Sequence, residues 1–139
     1  MVKPDLVRGK VARAKGWLDQ AEKLISAPLP ELMKDEDRRD LAGFRLFLAI
    51  QECIDLAAHW IADMRWGSPD DAASMFDVLA DRQAIDRDLA QQLRGAVGLR
   101  NRIAHGYSTV DHALVQKQFQ EGAATLRRFL GIVSTEAGL

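Results

Sequence analysis

Arginine, histidine and tyrosine side chains cluster around one glycine in the segment LRNRIAHGY, residues 99–107. An arginine guanidinium can hold two oxygens of an anion at once, and histidine is the side chain whose charge changes near neutral pH. Arg100 and His105 together therefore offer anion binding and proton transfer, which acid–base catalysis on a charged substrate requires. Arg102 and Tyr107 lie in the same segment and are further candidates for this site.

The hydrophobic pattern of the helix predicted to carry this segment places Arg100 at a position normally occupied by a core residue. Apolar residues recur at helical spacing at positions 89, 93, 96 and 103, and Arg100 falls between the last two. Because an unpaired buried guanidinium is costly, two interpretations remain open. Either Arg100 pairs with a carboxylate of another helix while Arg102 and His105 complement the negative helix end, or this stripe faces a cleft that binds an anion.

The spacing between Arg100 and His105 does not by itself bring the two side chains together. Positions five residues apart are separated by about 140° around an ideal helix. The length of the arginine side chain, unwinding at Gly106 or a second subunit must therefore close the gap.

Amphipathic helices are predicted to position the segment. The first has one apolar stripe and stops at the prolines of APLP, residues 27–30; its stripe is Val7, Val11, Ala14, Leu18, Ala21 and Ile25. The second runs from about Asp37 to Met64 and is apolar on two sides. It must therefore be covered on more than one side, by central placement or by a partner subunit.

Capping residues predict the remaining elements. Ser68 and Pro69 are predicted as the N-cap and first position of a short third helix, and Asp86 as the N-cap of a fourth helix that ends at Gly106. Asp111 is predicted to cap the last helix, whose stripe is Val115, Phe119, Leu126, Phe129 and Val133. No segment alternates like a strand, and the connections are short. The expected fold is an all-α, up-and-down bundle of four to five helices in a single domain, residues 1–139.

Composition limits the classes of function. The formal charge of -1 excludes a uniformly basic protein that coats nucleic acid. The single cysteine, Cys53, excludes an internal disulfide and a multi-cysteine zinc site. The N-terminus lacks a basic-then-apolar leader and no apolar run reaches about 18 residues, so we expect a cytoplasmic protein without membrane association. The early basic residues are expected to form a solvated helix face: Lys3, Arg8, Lys10, Arg13 and Lys15.

The segment RNRIAHGY resembles the Arg-x4-His-x-Tyr motif of HepT-like toxins, a branch of the HEPN superfamily of small all-α ribonucleases. Arg100, Asn101, His105 and Tyr107 each match this motif. FRLFLAIQECIDLAAHWIADM, residues 44–64, and SPDDAASMFDVLADRQAIDRDLAQQL, residues 68–93, also resemble family segments. The resemblance implies a HEPN-like homodimer in which two motifs line a cleft between subunits, and a metal-independent endoribonuclease that needs no cofactor.

The resemblance also implies roles for the motif residues. The RNA substrate would supply its own 2'-hydroxyl as nucleophile, with His105 as general acid or base and Arg100 as phosphate clamp. Asn101 would orient the histidine or the phosphate, and Arg102 would support the site. Tyr107 would be modified with AMP by a partner MNT-type nucleotidyltransferase, the antitoxin. The alternative is a noncatalytic helical module of the same fold that binds nucleotides or docks a nucleotidyltransferase.

Several polar and aromatic residues outside the motif have more than one interpretation. One polar stripe of the long helix is interpreted as a solvated or intersubunit face, or as a surface that flanks the RNA or contacts the nucleotidyltransferase: Gln51, Asp55, His59 and Asp63. Asp55 is also a candidate buried partner for Arg100. His112 is interpreted as a surface residue. The three tryptophans are interpreted as core or dimer anchors rather than base-stacking groups: Trp17, Trp60 and Trp66.

Overall fold

Six helices make up the computed structural model, which describes residues 3–105 and 112–139, with the side chains of 112–115 left out. In chain order they are α1 (Pro4–Ile25), α2 (Leu29–Lys34), α3 (Glu36–Met64), α4 (Ala72–Asp81), α5 (Arg87–Ala104) and α6 (His112–Glu136). The described residues contain no strand. The all-α expectation is confirmed, with the short α2 added to the predicted elements.

The long helix α3 lies at the centre of the bundle, and the other five helices pack against it. On α1 the six residues of the predicted stripe are all buried. Leu46, Cys53 and Trp60 on one side of α3 are buried, as are Ile50 and Ile61 on the other. Neighbouring helices of the same chain therefore cover α3 on two sides, which explains its double apolar pattern.

Aromatic contacts join the helices around this centre. The rings of Phe76 on α4 and Phe129 on α6 meet edge to face, with centroids 5.5 Å apart. Trp60 is buried in the core, and Trp66 packs beside it at 6.5 Å. Trp17 is half-buried beneath a guanidinium of α3. Trp60 is thus a core residue, as the sequence predicted.

Two helix starts differ from the prediction. The break at APLP is present, but α2 follows it, because prolines are tolerated in the first turn of a helix. The Ser68 cap and the Pro69 start are wrong, since α4 begins at Ala72. Asp71 is the cap because its carboxylate accepts the backbone N–H of Ser74 at 2.8 Å. That bond stabilises the charged carboxylate and lowers the pKa of Asp71.

The later elements follow the prediction where the structure describes them. Asp86 caps α5 by accepting the backbone N–H of Leu89 at 2.6 Å. The predicted apolar residues of α6 are buried from Phe119 onward. The predictions for Gly106, Asp111 and the side chains of His112 and Val115 lie outside the described residues. In residues 3–105 and 112–139, no helix has the length and apolar character required to cross a membrane.

Candidate active site

Arg100 lies at the edge of the core rather than inside it. Its neighbour Leu99 is buried, with 5% of its surface exposed, while Arg100 is half-buried. Because α5 packs against α3, α4 and α6, its buried face is wider than one stripe and includes Val97 and Leu99. Arg100 therefore lies at the edge of this buried face, and its side chain points toward α3.

Neutral oxygens hold the guanidinium of Arg100. Its Nη1 donates to Oε1 of Gln51 on α3 at 2.8 Å. Its Nε and Nη2 donate to Oδ1 of Asn101 at 3.2 and 3.0 Å. Within the described part of the chain, no carboxylate forms an ion pair with Arg100. The predicted alternative of an Arg100–carboxylate pair is therefore wrong for these residues.

Among the described residues, these contacts leave part of the guanidinium without an acceptor. A guanidinium has five N–H groups, of which Nε carries one and each Nη carries two. Gln51 and Asn101 together accept three of them. One N–H of Nη1 and one of Nη2 have no acceptor within residues 3–105 and 112–139. Two adjacent N–H groups of this kind match two oxygens of a phosphate.

The acids that follow Gln51 in sequence pair with α1 rather than with Arg100. Lys10 Nζ lies 3.3 Å from Glu52 Oε2 and 3.4 Å from Asp55 Oδ2, and Arg13 Nε lies 3.2 Å from Glu52 Oε1. The expectation of a solvated α1 face is wrong for Lys10, whose side chain is largely covered, whereas Arg13 pairs with Glu52 but stays exposed. The half-buried carboxylate of Glu52 requires counterions, and the packing of α1 on α3 supplies them. Asp55, expected as a partner for Arg100, is largely exposed.

The other motif residues surround the end of α5. His105 follows the last helical residue, and its side chain is exposed. The backbone N–H of His105 donates to the carbonyl of Asn101 at 3.1 Å, which places the two residues one turn apart. Arg102 instead faces α6, where its Nη2 donates to Oε1 of Gln118 at 3.4 Å. The structure thus joins Arg100 with Asn101 and separates Arg102 from them, while Tyr107 lies outside the described residues.

Exposed apolar residues lie on α3 near the end of α5. Phe44 and Leu41 are 49% and 42% exposed. Phe44 lines a groove of about 340 Å³ between α3 and the end of α5, together with Phe47 and Ile103. Phe44 precedes Gln51 by two turns, so the two residues share a face of α3.

Sequence reasoning missed the direct role of Gln51. It placed this residue on a polar stripe but did not connect it with Arg100, 49 residues away. The rest of that stripe, Asp55, His59 and Asp63, is exposed, as expected for a solvated face, and Asp55 pairs with Lys10. In the ranges that the structure covers, no three His, Cys, Asp or Glu side chains are grouped so as to hold a metal ion.

This chain is similar to known proteins over most of its length. A family model described as ribonuclease HepT-like matches residues 17–133. The mRNA nuclease HepT of Shewanella oneidensis is 24% identical over 132 residues, covering 95% of this chain and 98% of that protein. The tRNA nuclease HepT of Aphanizomenon flos-aquae is 24% identical over 110 residues, covering 79% and 75% respectively.

A solved structure shares the fold. It contains the tri-AMPylated HEPN toxin of Shewanella oneidensis in complex with an MNT antitoxin. The toxin superimposes on 97% of this chain and on 99% of its own length, with a TM-score of 0.86 and 23% identity. The shared fold therefore includes the helices that carry Arg100 and Gln51.

Proposed function

The chain belongs to the HepT-like ribonuclease family, and from this we propose that it is the endoribonuclease toxin of a type II HEPN/MNT toxin-antitoxin system. The observation that carries the proposal is the state of Arg100. Its guanidinium is oriented by two neutral amides, and the described residues leave two of its N–H groups for a phosphate. A charge held in position before the substrate arrives needs no reorganisation as negative charge develops in the transition state.

The reaction we propose is an internal transesterification of RNA without a metal ion. The 2'-hydroxyl oxygen attacks the adjacent phosphorus, and the bond from phosphorus to the 5'-oxygen breaks. The products are a 2',3'-cyclic phosphate and a free 5'-hydroxyl. One base removes the proton of the 2'-hydroxyl and one acid protonates the 5'-oxygen. Arg100 holds the nonbridging oxygens, Asn101 orients Arg100, and His105 transfers a proton.

A homodimer would supply both the acid and the base. Phe44 and Leu41 are exposed on α3, Phe44 lines the groove between α3 and the end of α5, and we assign this surface to a second copy of the chain. Neighbouring exposed apolar side chains favour a protein interface. Since a twofold contact pairs the same patch on both subunits, it would bring two copies of His105 into one cleft.

Regulation would act through Tyr107. The related toxin of Shewanella oneidensis carries AMP and is bound to an MNT antitoxin. A partner nucleotidyltransferase that attaches AMP to Tyr107 would add phosphate charge two residues after His105. That charge would occupy the phosphate-binding edge of Arg100 and block RNA. Arg102, which faces α6, would support binding by its charge rather than by direct contact with the reacting phosphate.

Cleavage of RNA in the presence of EDTA tests the proposal. Arg100→Ala and His105→Ala should each abolish cleavage while the circular dichroism spectrum is unchanged. Arg94→Ala is the matched control, since Arg94 is exposed on the same helix and pairs with Asp77. Retention of parent activity by both site variants would refute the site. A parent protein that is inert on RNA but binds the nucleotidyltransferase would support the noncatalytic alternative.

The regulatory part has its own test. The protein is incubated with its partner MNT-type nucleotidyltransferase and ATP, and its peptides are analysed by mass spectrometry. We expect AMP on the peptide that contains Tyr107 and none on Tyr107→Phe. Modification of another residue in the parent protein would contradict the assignment.

A further inference from the structure

The side chain of Gln51 is the contact that α3 makes with Arg100. Gln51 is half-buried, and its Oε1 accepts from Nη1 of Arg100 at 2.8 Å. This bond connects two helices, whereas Asn101 is the residue next to Arg100 in the chain. The bond to Gln51 therefore sets the direction of the guanidinium relative to α3. The bonds to Asn101 lie within α5 and cannot do so.

The acceptor at position 51 is neutral although acids surround it in sequence. Glu52 is the next residue, and Asp55 lies one turn further along the same helix. Both carboxylates pair with α1: Lys10 contacts both, and Arg13 contacts Glu52. The Lys10 and Glu52 side chains are only 13% and 17% exposed, so this pairing is shielded from salt.

We propose that Gln51 is a positioning residue for the phosphate clamp. It orients Arg100 through a neutral amide, while Lys10 and Arg13 pair the two neighbouring carboxylates, so that the positive charge of Arg100 is left for the substrate. This inference rests on the proposed function. A carboxylate at position 51 would hold the guanidinium equally well, but it would cancel the charge that attracts RNA.

Two substitutions separate orientation from charge. Gln51→Leu removes the acceptor and leaves the charge of Arg100 intact. Gln51→Glu keeps the acceptor and adds a negative charge beside Arg100. Gln91→Glu is the matched control, because Gln91 is exposed on α5 and lies about 180° around the helix from Arg100. Circular dichroism and light scattering establish that each variant keeps its helices and its assembly state.

Gln51→Leu and Gln51→Glu should change different measured properties. In Gln51→Leu, kcat/KM for RNA cleavage should fall about tenfold through the lost hydrogen bond to a charged group, and the NMR signal of the Arg100 Nε–H should shift. In Gln51→Glu, that signal should stay near its parent position. The dependence of RNA affinity on salt should then weaken, with the slope of log K against log[salt] reduced by about 0.7. Affinity is measured with fluorescent single-stranded RNA in a His105→Ala background.

A purely structural role for Gln51 would not change the salt slope selectively. The inference is overturned if Gln51→Glu keeps the parent slope, or if Gln91→Glu reduces it equally. It is also overturned if Gln51→Leu cleaves RNA like the parent while Arg100→Ala is inactive, an outcome that leaves the proposed function intact. If Arg100→Ala itself cleaves and binds RNA normally, Arg100 is not the phosphate clamp, and this inference fails with that role.

Discussion

Replacement of Arg100 by lysine separates the shape of the clamp from its charge. The guanidinium uses three N–H groups on Gln51 and Asn101, and two have no acceptor among the described residues. A lysine ammonium has three N–H groups on a single nitrogen. If two of them hold Gln51 and Asn101, only one remains for the phosphate. Arg100→Lys therefore loses one of two donors to the nonbridging oxygens while the net charge is unchanged.

The expected loss of kcat follows from the number of N–H donors that Arg100→Lys removes from the phosphate. Removal of one preorganised donor to a developing oxyanion lowers kcat by about 10²–10³-fold, which corresponds to roughly 2.7–4 kcal/mol. The electrostatic part of RNA binding depends on charge and not on the shape of the cation. We therefore expect Arg100→Lys to lower kcat by about two to three orders of magnitude and to leave the salt slope of RNA affinity at the parent value.

Single-turnover cleavage of a fluorogenic RNA, with enzyme in excess, measures the chemical step directly. Affinity is measured separately by fluorescence anisotropy at several salt concentrations, with His105→Ala present to prevent cleavage. Arg94→Lys on the same helix is the control and should cleave like the parent, because Arg94 pairs with Asp77 away from the motif. If Arg100→Lys cleaves within about threefold of the parent, two N–H donors from one side chain are not needed for cleavage. That outcome refutes the argument from the number of N–H groups.

Three further predictions concern the assembly, the core and the caps. Phe44→Asp should convert a dimer into monomers by light scattering, because it places a charge on the exposed apolar surface; an unchanged mass would exclude this face. Burial raises the pKa of the Cys53 thiol, so maleimide should label Cys53 only after unfolding; labelling of the folded protein would contradict its burial. Asp86→Ala removes the cap on the Leu89 N–H and should cost about 1 kcal/mol in urea unfolding, whereas Asp88→Ala should cost clearly less; equal losses would reject the cap.

Local sequence patterns were sufficient to predict most of the helices. The three- and four-residue spacing from Val7 to Ile25 predicted the buried face of α1, since side chains on one helix face recur at that interval. A single carboxylate before a periodic segment likewise predicted the cap at Asp86. The same rule failed before α4, where Ser68 and Asp71 both have capping side chains. The bond to Ser74 identifies Asp71 as the cap, because it satisfies a backbone N–H of the first turn.

The sequence by itself determined every described helix except α2, the two apolar sides of α3, and the motif residues on and after the last turn of α5. The tertiary structure alone decided that Arg100 meets the amide of Gln51, and that Lys10 and Arg13 neutralise the neighbouring acids. Periodicity reports which face of a helix is buried, but not which residue of another helix lies opposite. The packing of α1 and α5 on α3 sets that register, and the register leaves the charge of Arg100 unpaired within the described chain.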